Sequence, residues 1–128
     1  MAIEKELPDG YQHVMPYLIV NNAQAFLDFM LKVFDAKERY KAFRDDKGTV
    51  MHAEIAIKDS PIMVADATDR FTVQNAGMFV YIDNCDEVYK KALENGAISI
   101  VEPNDQPYGR TSGVIDPFGN TWWITNPI

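Results

Sequence analysis

The stretch Tyr17-Leu-Ile-Val-Asn-Asn-Ala-Gln-Ala-Phe26 is echoed in the second half of the chain by Phe79-Val-Tyr-Ile-Asp-Asn-Cys-Asp-Glu-Val88. In both stretches an apolar run is followed by an Asn or Asp pair and then by a helical pattern. A supersecondary unit that occurs twice predicts two copies of one small fold packed against each other. Such an arrangement leaves a cleft between its sheets, and small molecules bind in clefts.

The elements around these stretches predict two βαβββ modules, module one at about 13–66 and module two at about 77–126, in a single domain spanning 1–128. In each module a strand precedes a helix capped by Asn or Asp, and three strands follow it. The first strand is expected at 13–20, and the first helix is expected to bury Phe26, Met30, Val33 and Phe34. Residues 66–76 are expected to be a linker and 103–107 a loop. The predicted fold class is α+β, with curved mixed sheets around a cleft.

Charge and composition make some classes of function and location unfavourable. The net charge is -7, with 19 acidic and 12 basic residues, which disfavours nucleic acid because that partner requires a basic surface. The N-terminus has neither a basic start nor a long apolar stretch, so neither a signal peptide nor a membrane span is expected. The single Cys85 cannot form an internal disulfide, which fits a reducing compartment. Cytoplasmic localisation is therefore expected.

Strand alternation predicts which side chains face the cleft. In the third strand Met51, Ala53, Ile55 and Ile57 form an apolar face for the helix, while His52 and Glu54 lie on the opposite face. By the same argument Tyr17, Phe79 and Tyr81 face the cleft, and one of the adjacent Trp122 and Trp123 joins them. Arg110 leads into the seventh strand, where it is either a surface charge or an anchor for an anionic ligand group at the cleft rim. Strand aromatics are more often core residues than ligand platforms, and the His52–Glu54 pair also fits a solvated strand face.

Three motifs carry a resemblance to a known family: 14–23 (Val-Met-Pro-Tyr-Leu-Ile-Val-Asn-Asn-Ala), 51–60 (Met-His-Ala-Glu-Ile-Ala-Ile-Lys-Asp-Ser), and 108–124 with its Asp-Pro-Phe-Gly-Asn turn before Trp-Trp. The chain resembles the glyoxalase/bleomycin resistance/dioxygenase superfamily, also called vicinal oxygen chelate, and within it the PhnB-like branch. The resemblance implies paired βαβββ modules, usually assembled as a homodimer with two clefts.

The resemblance also bears on metal binding. Metal enzymes of this superfamily hold a divalent ion through four side chains, and those positions fall on Met15, Glu54, Gly77 and Trp123. Only Glu54 is a donor for a hard metal ion, so a divalent metal is disfavoured and no cofactor is expected. A displaced zinc site made by His13, His52 and Glu54 remains an alternative. The same comparison of positions selects Trp123 as the cleft tryptophan.

These observations predict a metal-independent, homodimeric small-molecule-binding protein. A planar or cationic drug-like compound would stack on Trp123, Phe79 and Tyr81 and be sequestered, as in antibiotic resistance. The alternative is a metal-dependent lyase, isomerase or dioxygenase of the same superfamily, or one that uses Glu54 as a general base. In a cleft walled by aromatics the pKa of Glu54 is expected to be raised. A third alternative is an interaction module without a ligand.

Overall fold

The computed structural model describes residues 5–128. Module one comprises β1 (Tyr17–Val20), α1 (Ala23–Phe34), β2 (Lys37–Phe43), β3 (Val50–Ile57) and β4 (Ser60–Asp66). Module two comprises β5 (Gly77–Tyr81), α2 (Cys85–Glu94), β6 (Ile98–Gln106), β7 (Gly109–Ile115) and β8 (Thr121–Thr125). Sheet one has the strand order β1-β4-β3-β2 and sheet two the order β5-β8-β7-β6. The predicted α+β fold of tandem βαβββ modules is confirmed. Within 5–128 neither helix is long and apolar enough to cross a bilayer.

Two strand boundaries differ from the prediction. β1 begins at Tyr17 rather than at 13, because Pro16 has no N–H to donate and only its carbonyl bonds to the N–H of Met63. β6 continues through the predicted loop at 103–107 to Gln106. It tolerates Pro103 because it is an edge strand whose pairing with β7 is irregular between Val101 and Asn104.

The predicted linker adds to sheet one. Gln74 pairs with Ile19 on the outer edge of β1, where the N–H of Ile19 donates to the carbonyl of Gln74 at 3.1 Å and the reverse bond measures 2.9 Å. This pairing carries Phe71 to the surface beside β1, where it forms one wall of a groove.

The helix-bearing faces of both modules share one core. The predicted inner side of α1 is confirmed, since Phe26, Met30, Val33 and Phe34 are all buried. The core continues into module two through ring contacts between Phe34 and Trp122 at 4.5 Å and between Phe26 and Phe118 at 5.7 Å. Each sheet therefore presents its other face, the one without a helix, to the outside.

Helix α2 departs from its predicted pattern at both ends. Leu93, expected on its inner side, is 36% exposed. Asn84 stands at the cap position, but its side chain makes no capping hydrogen bond. The side-chain oxygen of Asn126 instead accepts from the N–H of Cys85 at 2.8 Å, so the end of the chain caps this helix. Burial raises the pKa of the Cys85 thiol, as expected for a structural cysteine.

Candidate functional site

Three side chains on the outer face of sheet one and a fourth from the segment before β1 form a hydrogen-bonded series, here called the polar chain. The hydroxyl of Tyr17 lies 2.9 Å from Nδ1 of His52, and Nε2 of His52 lies 2.7 Å from Oε2 of Glu54. The other carboxylate oxygen of Glu54 accepts a hydrogen bond from the hydroxyl of Tyr11. Strand register explains the arrangement, because Tyr17 and Glu54 both pair with Met63 across the sheet. Side chains at paired positions point to the same face.

The polar chain fixes the state of Glu54, which is only 7% exposed. Burial alone would raise the pKa of Glu54, but hydrogen bonds from Tyr11 and His52, with the nearby charges of His52 and Arg39, outweigh it and lower that pKa. The expectation of a raised pKa was wrong because it left out these donors. An ionised Glu54 requires a proton on Nε2 of His52, so in the neutral imidazole Nδ1 accepts from Tyr17.

The outer face of sheet two carries a cluster of aromatic rings, here called the aromatic face: Phe79, Tyr81, Tyr108 and Trp123. The ring of Phe79 lies 5.0 Å from that of Tyr81 and 6.2 Å from that of Tyr108. Trp123 pairs with Phe79 in register and lies over Gly113, where a Cβ atom would come within 2.5 Å of its ring. Phe79 and Tyr81 are 50% and 55% exposed. Trp122 points the other way into the core, so the two tryptophans divide between the faces as alternation predicts.

The predicted site residues do not line one cleft within the chain. Tyr17, His52 and Glu54 belong to sheet one, while Phe79, Tyr81 and Trp123 belong to sheet two. Within residues 5–128, no hydrogen bond or ring contact joins the polar chain to the aromatic face. The expectation of a single enclosed cleft failed because the helix-bearing faces pack together. That packing turns the two outer faces apart.

Arg110 is not at a cleft rim. Its Nε donates to Asp86 at 2.9 Å and its Nη1 to Asp105 at 3.1 Å. Asp86 lies in the first turn of α2, so the guanidinium is on the helix-bearing side of sheet two. These hydrogen bonds raise the pKa of Arg110 further. Of the two readings left open by the sequence, the structure supports a surface charge in an ion-pair network.

The residues of the alternative zinc site are not brought together. His13 is exposed and lies outside β1. In the described part of the chain, no three His, Cys, Asp or Glu side chains are grouped closely enough to hold a metal ion. Glu54 is surrounded by Tyr11 and His52 instead. The donor chemistry at Met15, Gly77 and Trp123 likewise does not fit a hard divalent ion.

A groove of about 500 Å³ adjoins Tyr17 on sheet one. This groove, here called the Tyr17 groove, is lined by Tyr17, Ile19, Arg44, Met51, Ala65, Asp66, Phe71 and Gln74. Met51 was expected to face α1 but is 50% exposed here. The pairing of β2 with β3 shifts register between Ala42 and Phe43, which gives β3 an extra residue and breaks the alternation at Met51.

Sequence reasoning missed Tyr11, Arg44, Met51, Phe71 and Tyr108 as site residues. Tyr11 and Phe71 lie outside strands, where alternation gives no information, and Met51 lies at the register shift. The exposed position of Tyr108 could have been predicted from the sequence. It precedes Gly109 in the turn between β6 and β7, and such short turns carry their side chains to the surface.

Comparison with known proteins agrees with this architecture. An uncharacterized protein of Mycobacterium bovis is 29% identical over 125 residues, which span 88% of this chain and 82% of the relative. Among solved structures, a PhnB protein from Bacillus cereus, named as a putative 3-demethylubiquinone-9 3-methyltransferase, superposes with a TM-score of 0.69 at 19% identity. That match covers 90% of this chain and 99% of the other. TnmS3, an antibiotic binding protein from Streptomyces sp. CB03234, superposes at 0.66 and 17% identity, covering 92% of this chain and 100% of the other.

A family model matches residues 10–124, nearly the whole described chain and all of its strands but the last residue of β8. That range contains the polar chain, the Tyr17 groove and the aromatic face. The chain belongs to the glyoxalase/bleomycin resistance protein/dioxygenase superfamily.

Proposed function

We propose that this protein binds and sequesters a planar, drug-like small molecule without a metal ion. The observation that carries the proposal is the aromatic face, where Phe79, Tyr81 and Tyr108 are about half exposed around Trp123. Monomeric proteins rarely leave large aromatic rings grouped in water unless something covers them. TnmS3, an antibiotic binding protein, shares the fold and lends support to an antibiotic as the ligand. Placement in the PhnB-like branch is part of the same proposal and rests on the motifs and on the Bacillus cereus structure.

Stacking, rather than a charge pair with Glu54, is the proposed binding mode. Both oxygens of Glu54 already accept hydrogen bonds, from Tyr11 and His52, and the residue is only 7% exposed, so little of this carboxylate faces a cationic group. A cationic ligand is therefore favoured only by the net charge of -7 and by the exposed π faces. Offset stacking on Phe79, Tyr81 and Trp123 contributes about 0.5–1.5 kcal/mol per ring pair beyond the burial of area.

We propose further that the protein is a homodimer in which the aromatic face of one protomer is set opposite sheet one of its partner. This arrangement would complete two clefts and would cover rings that one chain leaves exposed. It would also bring the polar chain and the aromatic face of different protomers together, as the sequence led us to expect within one chain. A cytoplasmic location is retained as a proposal, which the free and buried thiol of Cys85 supports.

The proposal predicts that planar aromatic drugs quench the fluorescence of Trp123. In a titration with ethidium or doxorubicin, followed near 340 nm, we expect saturable quenching that is largely lost in Trp123→Phe. Trp122→Phe is unsuitable as a control because Trp122 is a core residue, so Tyr89→Phe, on the helix-bearing side, serves instead. Sedimentation equilibrium on the same sample should give twice the 14.5 kDa of the chain. Equal quenching in Trp123→Phe would contradict the stacking model, and a monomer would contradict the dimer.

A lyase or isomerase is the second candidate, and the polar chain is the observation that favours it. Tyr17, which is 46% exposed, is the residue of the polar chain that faces solvent. If the Tyr17 oxygen took a proton from a substrate, its own proton would pass to Nδ1 of His52. The resulting imidazolium would be stabilised by the Glu54 carboxylate. In this mechanism Glu54 orients His52 and is not itself the base, and no metal takes part.

A further inference from the structure

We propose that the Tyr17 groove binds an aromatic carboxylic acid, with the acid group paired to Arg44. This inference rests on the proposed small-molecule function and names the chemical class of one ligand. It differs from the cationic ligand that the net charge favours.

One arginine of this acidic protein lines the groove, and a second contacts one of the groove walls. The chain has four arginines and a net charge of -7. Arg39 donates to the carbonyl of Gly10, and Arg110 is held by Asp86 and Asp105. Arg44 lines the groove, and the guanidinium of Arg70 lies 5.0 Å from the ring centre of Phe71, a groove wall. Among residues 5–128, neither Arg44 nor Arg70 is in an ion pair.

The carboxylates near Arg44 are bound to the protein's own backbone. Asp66, also in the groove, accepts from the N–H of Ala23 and the N–H of Val50, both at 2.7 Å. Asp45 accepts from the N–H of Lys47 at 2.9 Å and from that of Thr49 at 3.2 Å. Arg44 itself is oriented by a long 3.4 Å hydrogen bond to the carbonyl of Asp66. Most of its donors therefore remain for an external carboxylate, which a guanidinium holds in bidentate geometry.

The rest of the groove is suited to the aromatic rings of a ligand. Met51 and Phe71 are 50% and 53% exposed and stand beside Ile19 and Ala65. Thioether and ring surfaces of this kind pack well against flat aromatic ligands. The volume of about 500 Å³ lies within the range of small-molecule sites.

Tyr17 gives the groove a directional polar group. Because its O–H proton is directed to Nδ1 of His52, the oxygen of Tyr17 presents lone pairs to the groove. A hydroxyl group on the ligand can donate to that oxygen. The class of ligand is thus an aromatic acid that also carries a hydroxyl group.

The test is isothermal titration calorimetry of the full-length protein with 6-hydroxy-2-naphthoic acid and its neutral carboxamide. Loss of the charged contact should weaken binding roughly tenfold, either when the carboxamide replaces the acid or when Arg44→Gln replaces the wild type. Lys32→Gln removes the same charge from an exposed residue of α1 and should leave the affinity unchanged. Tyr17→Phe should erase the advantage of the 6-hydroxy compound over its 6-methoxy analogue.

Several outcomes would overturn the inference. They are no binding of the acid, equal affinity for acid and carboxamide, and an equal loss of affinity in Arg44→Gln and Lys32→Gln. Quenching of Trp123 by a planar cation in a protein that ignores the acid would refute this inference and leave the proposed function intact. Failure of every planar compound to bind would refute both. Circular dichroism melting curves for the three variants, all at partly or fully exposed side chains, confirm that the fold is kept.

Discussion

Asp116→Ala is expected to lower the free energy of unfolding by about 3 to 4 kcal/mol, because it leaves three buried donors unpaired at a cost of at least about 1 kcal/mol each. Asp116 is 3% exposed, and its Oδ2 accepts from Nε1 of Trp122 at 2.8 Å and from the amide of Asn120 at 3.1 Å. Its Oδ1 accepts from the backbone N–H groups of Phe118 and Asn120, both at 2.9 Å. Trp122 and Asn120 are 1% and 0% exposed, so water cannot readily replace these bonds.

Urea unfolding followed by circular dichroism measures this change. Asp69→Ala removes the same carboxylate from an exposed turn and should change stability by no more than about 0.5 kcal/mol. A loss of less than about 1 kcal/mol in Asp116→Ala would show that this hydrogen-bond network does not hold the turn together. The conspicuous Asp-Pro-Phe-Gly-Asn motif would then need another explanation.

Glu54→Gln is expected to lower the free energy of unfolding by about 1 to 2 kcal/mol at pH 7, because it replaces charge-assisted hydrogen bonds with neutral ones. Glutamine keeps an acceptor for Tyr11 but cannot provide a second one for Nε2 of His52. This expected loss of unfolding free energy is at the low end for a buried charged group, because Tyr11 and His52 are themselves only partly buried.

The effect of Glu54→Gln should depend on pH in a defined direction. The pKa of Glu54 is lowered in the folded protein, so its carboxylate stabilises the fold above the ordinary value of 4.5. That stabilisation is lost as the pH falls from 4.5 through the lower folded-state pKa. The difference in stability between wild type and Glu54→Gln should therefore be constant near neutrality and shrink in acid. A difference that grows in acid would mean that Glu54 is protonated in the folded state.

The same variant tests the enzymatic alternative. If turnover is found with any substrate, Glu54→Gln and Tyr17→Phe should both reduce it. Turnover that survives in Tyr17→Phe but not in Glu54→Gln would return the role of base to Glu54.

The fold could be predicted from the sequence because each module repeats a strong local pattern. Asn22 caps α1 through its side chain, which accepts from the N–H of Ala25, and the buried side of α1 follows the 3.6-residue period. The errors fall where local patterns carry no signal. The pairing of Gln74 with Ile19 is a long-range event, and the continuation of β6 past Pro103 depends on its edge position.

The sequence predicted on which face of its strand each candidate site residue lies, but it did not predict how the two sheets are arranged. Strand alternation placed His52, Glu54 and Phe79 on the faces without a helix, and the family resemblance selected Trp123 over Trp122, as observed. Alternation says which face a residue occupies but not how two sheets are set against each other, because that depends on the packing of Phe34 on Trp122 across the modules. The reversed pKa shift of Glu54 had the same origin, since Tyr11 reaches it from a segment without regular structure.

The pairing of Gln74 with Ile19 also protects the protein against aggregation. An outermost strand with free N–H and C=O groups is a template on which other chains add strands. The outer side of β1 is partly occupied by the chain itself, while β2 carries the charges of Lys37, Glu38, Arg39 and Lys41. At the far end of the other sheet, Pro103 and the irregular pairing interrupt β6. The addition of strands from other chains at these three borders is thereby discouraged.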